Sequence, residues 1–320
     1  MSYERAQRLL HNGGTLILDG GTGTELERRG VTMNPEAWCG MASLESVGIL
    51  EEIHKDYISA GADIITANTY CSSRLLLKPA GYGNQFEEIN YAAIDAAQRA
   101  RDASGREEVL IAGSLSHRGA ITSGTAKPDL AQAPSDGEMA DAFGELAALL
   151  HARGCDLILL EMMYDPERMV HAFSAAMDSG LPVWAGLSAR RGDDGKILSF
   201  APDRDILFDD IIQILRDHNV AAAGIMHTQA NVVGDALAIL DGVFKGPLLA
   251  YPDSGYFKSP NWQFEDVMPP SELRRYADEW VSNRLQIVGG CCGLTPDHIA
   301  ALSTLKQKVP AEFNNPSVMS

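Results

Sequence analysis

Two adjacent cysteines follow two glycines near the end of the 320-residue chain, in "IVGGCCGLTPDHI" (287–299). A disulfide between chain neighbours strains the backbone, so Cys291 and Cys292 point to another use. Thiolate sulfur is a zinc ligand, and so is the imidazole of His227 in "GIMHT" (224–228). Two thiolates and one imidazole leave the fourth tetrahedral position open, which marks a catalytic rather than a structural zinc. Gly289, Gly290 and Gly293 suit a backbone that must turn two successive side chains onto one ion. The plain alternatives are an inert buried cysteine pair and a hydrogen-bonded core histidine. Three ligands of two types converging on one place weigh against both.

Two carboxylates stand out beside this set. Glu161 ends the otherwise apolar run "DLILLE" (156–161), and a buried carboxylate there calls for a cation. Asp19 closes "TLILD" (15–19), where it either meets a substrate or forms the turn before Gly20 and Gly21. Those glycines can offer backbone N–H groups to an anion. "GGTGTEL" (20–26) only superficially resembles a dinucleotide fingerprint, because Leu26 stands where its third glycine should be.

The elements that must position these groups are eight short apolar runs: 15–19, 63–69, 109–114, 156–161, 182–188, 221–227, 247–252 and 284–290. Near-continuous apolar runs of this length read as parallel strands buried on both faces. Amphipathic segments predict helices over 43–61, 86–103, 136–154, 165–180, 203–219, 230–240, 270–283 and 295–307. Ser43 and Thr295 serve as caps, Gly61 as a helix end and Pro296 as a first helical residue. Eight strand–helix units predict a single-domain α/β (β/α)8 TIM barrel over 1–320, with an irregular tail at 310–320. A doubly wound open sheet is the competitor.

In a barrel, chemistry collects at the carboxyl ends of the strands. Those ends carry Asp19, Asn68 and Thr69, Ser114, Glu161, Ser188, His227, Tyr251 with Asp253, and Cys291 with Cys292. The long segments 115–136 and 255–270, rich in Gly, Pro and Ser, are expected to shape the site above them.

Composition narrows the partners. The net charge of −17 makes phosphate backbones and anionic membranes poor partners. No run of about 18 apolar residues is long enough to span a bilayer, and the start lacks a secretory pattern. Five cysteines, two of them adjacent, do not make a disulfide framework. The chain is therefore expected in the cytoplasm, acting on small molecules as a monomer or homo-oligomer.

At this point the residues resemble the homocysteine S-methyltransferase family, along nearly the whole chain. "LDGGTGTELERRG" (18–30) resembles its opening motif, and "AGADIITANTY" (60–70) the motif after its second strand. "AGSLS" (112–116) resembles its Gly-Ser motif, "DLILLE" its strand-4 Glu motif and "YPDSG" (251–255) its Tyr-Pro-Asn-Ser-Gly turn. "GGCCG" (289–293) followed by "TPDHI" is the most specific match. The resemblance implies a zinc-dependent barrel that methylates the thiol of homocysteine to methionine. It implies zinc on His227, Cys291 and Cys292. Asp19, Gly20 and Glu161 are then expected at the amino acid substrate, with Glu161 on its amino group. Thr69 and Ser114 either bond the substrate or act as caps.

Trp38, Tyr70 and Tyr251 either meet a methyl donor with cationic sulfur or nitrogen through cation–π attraction or serve as hydrophobic lid residues, and Met162 either packs with Met163 or shapes the donor pocket. This sequence departs from the family pattern where His227 replaces a cysteine, Met226 an asparagine, Asp253 an asparagine, and Ser116-His117 a Gly-Pro. Cys71 and Met162 stand where the betaine-using branch has tyrosines. These changes favour a sulfonium donor of the S-methylmethionine type. Methyl transfer or demethylation involving a betaine or other methylated osmolyte, a zinc hydrolase and a thiol sensor are the alternatives. Cys39, Cys71 and Cys155 read as small buried hydrophobes. His117 and His298 have no evident partner, and His298 is expected to face solvent.

Overall fold

The computed structural model describes residues 3–282 and 284–306; the tail expected at 310–320 lies outside them. Eight strands form the barrel: β1 (Leu16–Ile17), β2 (Ile64–Ala67), β3 (Leu110–Ser116), β4 (Leu157–Met163), β5 (Val183–Leu187), β6 (Ala222–Gln229), β7 (Leu248–Asp253) and β8 (Leu285–Val288). They pair in parallel in the order β1-β8-β7-β6-β5-β4-β3-β2. A bridge between Leu18 and Ile64 closes β1 onto β2, with Asp19 N–H donating to Ile64 O (3.0 Å) and Asp63 N–H to Ile17 O (2.8 Å). The ring of strands is the (β/α)8 barrel that eight apolar runs predict.

Alternation explains why both faces of these strands are apolar. Leu16, Leu18, Ile64, Leu110, Ala112, Leu157, Leu159, Ala222, Leu249 and Ile287 fill the barrel interior. Their neighbours Ile17, Ile65, Ile111, Ile158, Ile225, Ala250 and Val288 pack outward in the layer shared with the helices. Successive side chains of a strand point to opposite faces, so both sets must be hydrophobic. The helix Tyr3–His11, unforeseen in the sequence, adds Ala6 and Leu10 to the inner cluster. Trp184 Nε1 donates to Tyr3 Oη (3.0 Å). That helix therefore plugs the amino end of the barrel and leaves the carboxyl end for the site.

Two predicted helices differ from expectation. The 43–61 segment divides at Ser46 (φ −141°, ψ 34°) into Ala42–Glu45 and Val47–Ala60, with Gly61 ending it in the left-handed region (φ 107°) as its lack of a Cβ allows. The 203–219 segment is helical only over Phe208–Ile211, continued by a 3₁₀ stretch Ile212–Arg216. Leu207 is instead held extended by a bridge to Leu198. The helix Pro166–Asp178 starts as its sequence dictates. Asp165 caps it by accepting from Glu167 N–H (3.1 Å), and Pro166 takes the first helical position.

Two antiparallel hairpins stand at the carboxyl end, Ala189–Arg191 with Ile197–Ser199 and Tyr256–Lys258 with Asn261–Gln263. The two long loops foreseen around the site meet each other. Gly124 N–H donates to Ser259 O (3.1 Å), and Ser259 N–H to Thr125 O (3.0 Å).

Candidate metal centre and active site

The carboxyl end of the barrel opens into a cavity of about 450 Å³, within the usual range for small-molecule sites. Asp19, Gly20, Glu161, His227, Cys291 and Cys292 all line it, as do Trp38, Tyr70, Met162 and Tyr251. Thr69 and Ser114 do not; both are fully buried behind its wall. Thr69 Oγ1 donates to Ser114 O (2.8 Å), which ties β2 to β3. The Ser114 hydroxyl donates to Glu161, so that carboxylate has a protein partner which the sequence alone did not reveal.

Backbone bulges aim the chemistry inward. The register between β6 and β7 shifts between Met226 and Gln229, and within that shift His227 has φ +43°. The register between β4 and β5 shifts between Leu160 and Met163, where Met162 has φ +56°. Such bulges bend a strand and re-aim side chains beside active sites, and a left-handed φ at a non-glycine residue is a strained state that clusters at functional positions. Trp38 (φ +44°) is a third example on the same cavity wall.

The ligand atoms of His227, Cys291 and Cys292 lie within 4.8 Å of one another. Cys291 Sγ is 3.5 Å from His227 Nδ1 and 3.9 Å from Cys292 Sγ. Zinc bonds of about 2.3 Å to sulfur and about 2.0–2.1 Å to nitrogen give tetrahedral edges of about 3.5 Å for S–N and about 3.8 Å for S–S. The donor set and these two separations therefore fit zinc. The loop that carries the cysteines is held by close approach: a Cβ on Gly293 (φ +83°) would meet Ser254 O, and one on Gly21 would meet Cys291 O. Gly21 N–H donates to Leu294 O (3.2 Å), so the Gly20–Gly21 pair does not offer both of its N–H groups to a ligand.

Asp253, noted in the sequence only as a strand end and a departure from the family turn, meets the other nitrogen of the imidazole. His227 Nε2 is 3.5 Å from Asp253 Oδ2. Phe200 and Trp262, brought by the two hairpins, pack edge-on against the His227 ring at 5.1 and 5.7 Å. A zinc-bound histidine commonly directs its second nitrogen to a carboxylate, which fixes tautomer and ring orientation. A sequence signal existed here, since His227 and Asp253 both replace residues of the family pattern, but only contact shows that the two changes belong together.

Burial sets the charge states of the metal-free site. It raises Glu161 to about 8, with the Cys291 charge adding and the Ser114 hydroxyl opposing. It raises Asp19 to about 7, although Thr66 N–H (2.7 Å) and Thr66 Oγ1 (3.0 Å) both donate to that carboxylate. It raises Asp253 to about 6 against the nearby imidazole. Burial opposes protonation of His227, yet Asp253 and Cys291 outweigh it and raise the ring to about 9. The hydrogen bond from Cys292, and then His227, hold the Cys291 thiol well below its ordinary value. Three carboxyl groups and two thiols crowded here at low dielectric favour a cation among them.

Other residues are placed as follows. Cys39, Cys71 and Cys155 are buried and free. His117 accepts from Tyr164 N–H (3.1 Å) and Asp165 N–H (3.3 Å), so it has partners after all. His298 is corrected too: it is buried, accepts from Thr295 N–H (3.1 Å), and its Nε2 is 2.8 Å from Met268 O. A histidine at this cap position closes a hydrogen-bonded capping box with Thr295, which buries the ring instead of exposing it. Among the described residues no helix is long and apolar enough to cross a membrane.

Known proteins agree with the geometry. The chain is 26% identical over 326 residues to a maize protein named homocysteine S-methyltransferase 2, covering 96% of this chain and 94% of the relative. It is 25% identical to a selenocysteine Se-methyltransferase of Brassica oleracea var. italica, covering 94% and 91%. The metallated form of the homocysteine methyltransferase MmuM from Escherichia coli shares the fold, with a TM-score of 0.71 at 23% identity over 93% of this chain and 98% of that one. The model of the homocysteine S-methyltransferase family matches residues 16–305, and this chain belongs to that family.

Proposed function

We propose that this enzyme moves a methyl group from a sulfonium donor to the thiol of homocysteine, giving methionine, with zinc on His227, Cys291 and Cys292. The observation that carries the reading is the ligand set, its atoms within 4.8 Å of one another and two of its separations at tetrahedral spacing, on a cavity that also presents Glu161 and Asp19. Zinc bound there would keep the substrate sulfur as a thiolate at neutral pH, where a free thiol with pKa of about 8.5 is mostly protonated.

The chain's own residues supply the rest. His227 turns Nδ1 to the cysteine side and Nε2 to Asp253, which holds its orientation. Glu161, positioned by the Ser114 hydroxyl, receives the amino group of the acceptor. Leu18, Leu159 and Met226 line the cavity with apolar surface and exclude water from the nucleophile. The methyl carbon is attacked in line, so holding donor and acceptor together supplies several kcal/mol of the catalysis. Selenocysteine, the substrate in the name of the Brassica relative, offers the same nucleophile chemistry and is the second acceptor to test. Free thiols at all five cysteines suit the reducing cytoplasm.

The test is methionine formation from homocysteine with S-methylmethionine, S-adenosylmethionine, dimethylsulfoniopropionate or glycine betaine. A sulfonium is expected to outpace betaine by about tenfold, a barrier difference of about 1.4 kcal/mol. Betaine as the better donor ends the sulfonium assignment. Absence of transfer from every donor ends the reading itself.

A further inference from the structure

Two arginines on the cavity wall have no part in the mechanism above. Arg118, in the loop after β3, places its guanidinium 5.1 Å from the Phe257 ring and 5.9 Å from those of Trp38 and Tyr70. Its Nε is sealed from solvent and has no hydrogen-bond partner. Arg168, in the first turn of the helix Pro166–Asp178, has Nε and Nη2 in the same state. Its guanidinium lies over Gly119, where a Cβ would come to 2.5 Å from Nη2. Both arginines line the cavity.

Other arginines at this end of the barrel are paired. Arg190 meets Asp205, Arg191 meets Asp235, and Arg204 meets Asp165 and Glu167. Among the described residues, Arg118 and Arg168 have no such carboxylate. Arg118 meets the Tyr70 hydroxyl and the Cys71 thiol in place of a carboxylate; a sequestered guanidinium without a carboxylate is costly, and buried donors left open at a cavity wall mark the place of a ligand group. The aromatic faces expected to hold a cationic donor are therefore already faced by a protein cation, which they hold in place by cation–π attraction.

We propose that Arg118 and Arg168 bind the carboxylate of the methyl donor, which makes the donor a small zwitterion with a cationic sulfur at one end and a carboxylate at the other. This rests on the methyl-transfer reading. The arginines follow β3 and β4, whereas the metal ligands belong to β6 and the end of β8. An anchored carboxylate thus leaves the donor's sulfonium between the two groups, facing the metal side. Guanidinium and carboxylate match in charge and planar geometry. A cavity of about 450 Å³ that must also admit the acceptor suits a compact donor.

The experiment is calorimetric titration of the zinc-loaded protein, without homocysteine, by dimethylsulfoniopropionate and by propyldimethylsulfonium, which lacks the carboxylate. The wild type is expected to bind the first at least roughly tenfold tighter, as loss of a charge-assisted bond predicts. Arg118→Met and Arg168→Met should each reduce that ratio to about threefold or less, and Arg118→Lys should retain part of it. Thermal unfolding identifies any variant that fails to fold; the wild-type ratio and the remaining variants then decide. Equal binding by the wild type, or a preference that both methionine variants keep, overturns the proposal. So does a variant that raises the homocysteine KM but leaves donor binding unchanged, since the acceptor's carboxylate would then own the site. Methionine formation is followed separately. Preference without transfer supports the carboxylate site and ends the methyl-transfer reading; transfer without preference does the reverse.

Discussion

His227 stands between Cys291 and Asp253, with Nδ1 3.5 Å from the cysteine sulfur and Nε2 3.5 Å from the aspartate oxygen. Both His227 and Asp253 depart from the family pattern, and their contact gives the physical reason. Replacing a thiolate ligand by neutral imidazole removes one negative charge from the ligand set. It also creates a second ring nitrogen that needs an acceptor. Asp253 returns a carboxylate behind the ring, 3.5 Å from that nitrogen, in the place where a metal-bound histidine commonly finds its acceptor. A more positive site therefore describes the ligand set alone, not the ligand set together with Asp253.

This pairing predicts non-additive substitutions. Asp253→Asn should weaken metal binding by about 10–100-fold. His227→Cys alone sets a thiolate beside Asp253 and should bind metal less well than His227→Cys combined with Asp253→Asn. Chelator competition measures all three. A double variant no tighter than His227→Cys would show that the two positions are independent.

Loss of either thiolate should be more severe. Cys291→Ala and Cys292→Ala should each remove both metal and activity, and His227→Ala should weaken metal binding. Elemental analysis of the dialysed proteins, with activity alongside, checks this. Full activity in metal-free Cys292→Ala would end the zinc assignment.

Glu161→Gln should raise the homocysteine KM by about tenfold or more, since a charged hydrogen bond contributes about 1.5–3 kcal/mol. Zinc content should be unchanged. Ser114→Ala, which removes only the hydroxyl that positions Glu161, should act in the same direction and less strongly. Steady-state kinetics and metal analysis on the same samples decide; loss of zinc in Glu161→Gln would place that residue at the metal instead.

Acid stability should depend on His54, which is fully buried in the helix Val47–Ala60 with neither ring nitrogen hydrogen-bonded. Burial lowers its pKa from 6.5 to about 4. Below pH 6.5 the unfolded chain takes a proton that the folded chain refuses, so stability falls as pH drops from 6.5 towards 4. The contribution is roughly 2 kcal/mol between pH 7 and pH 5. Urea midpoints should therefore fall less between these pH values for His54→Leu than for the wild type. Equal falls would show that His54 is not a source of the acid sensitivity.

The barrel was legible because its signals are local. Eight apolar runs must be hydrophobic on both faces when one face fills the interior, as with Leu16 and Leu18, and the other meets helices, as with Ile17. Polar residues at the ends of such runs then mark one rim, which is how Asp19, Glu161, His227, Cys291 and Cys292 could be named together. Tertiary structure alone decided how they are used. The bulges that turn Met162 and His227 inward depend on neighbouring strands, not on local composition. Thr69 and Ser114 proved to hold other groups because partners 45 and 47 residues away claim their hydroxyls. The Tyr3–His11 helix was not foreseen, because its place depends on the open amino end of the barrel that Ala6 and Leu10 fill. Arg118 and Arg168 carry no periodic signal, and their meaning lies in the absence of a carboxylate beside them. Periodicity reports which face of an element is buried; which buried groups find partners is a property of contacts between segments far apart in the chain, and only the folded molecule determines it.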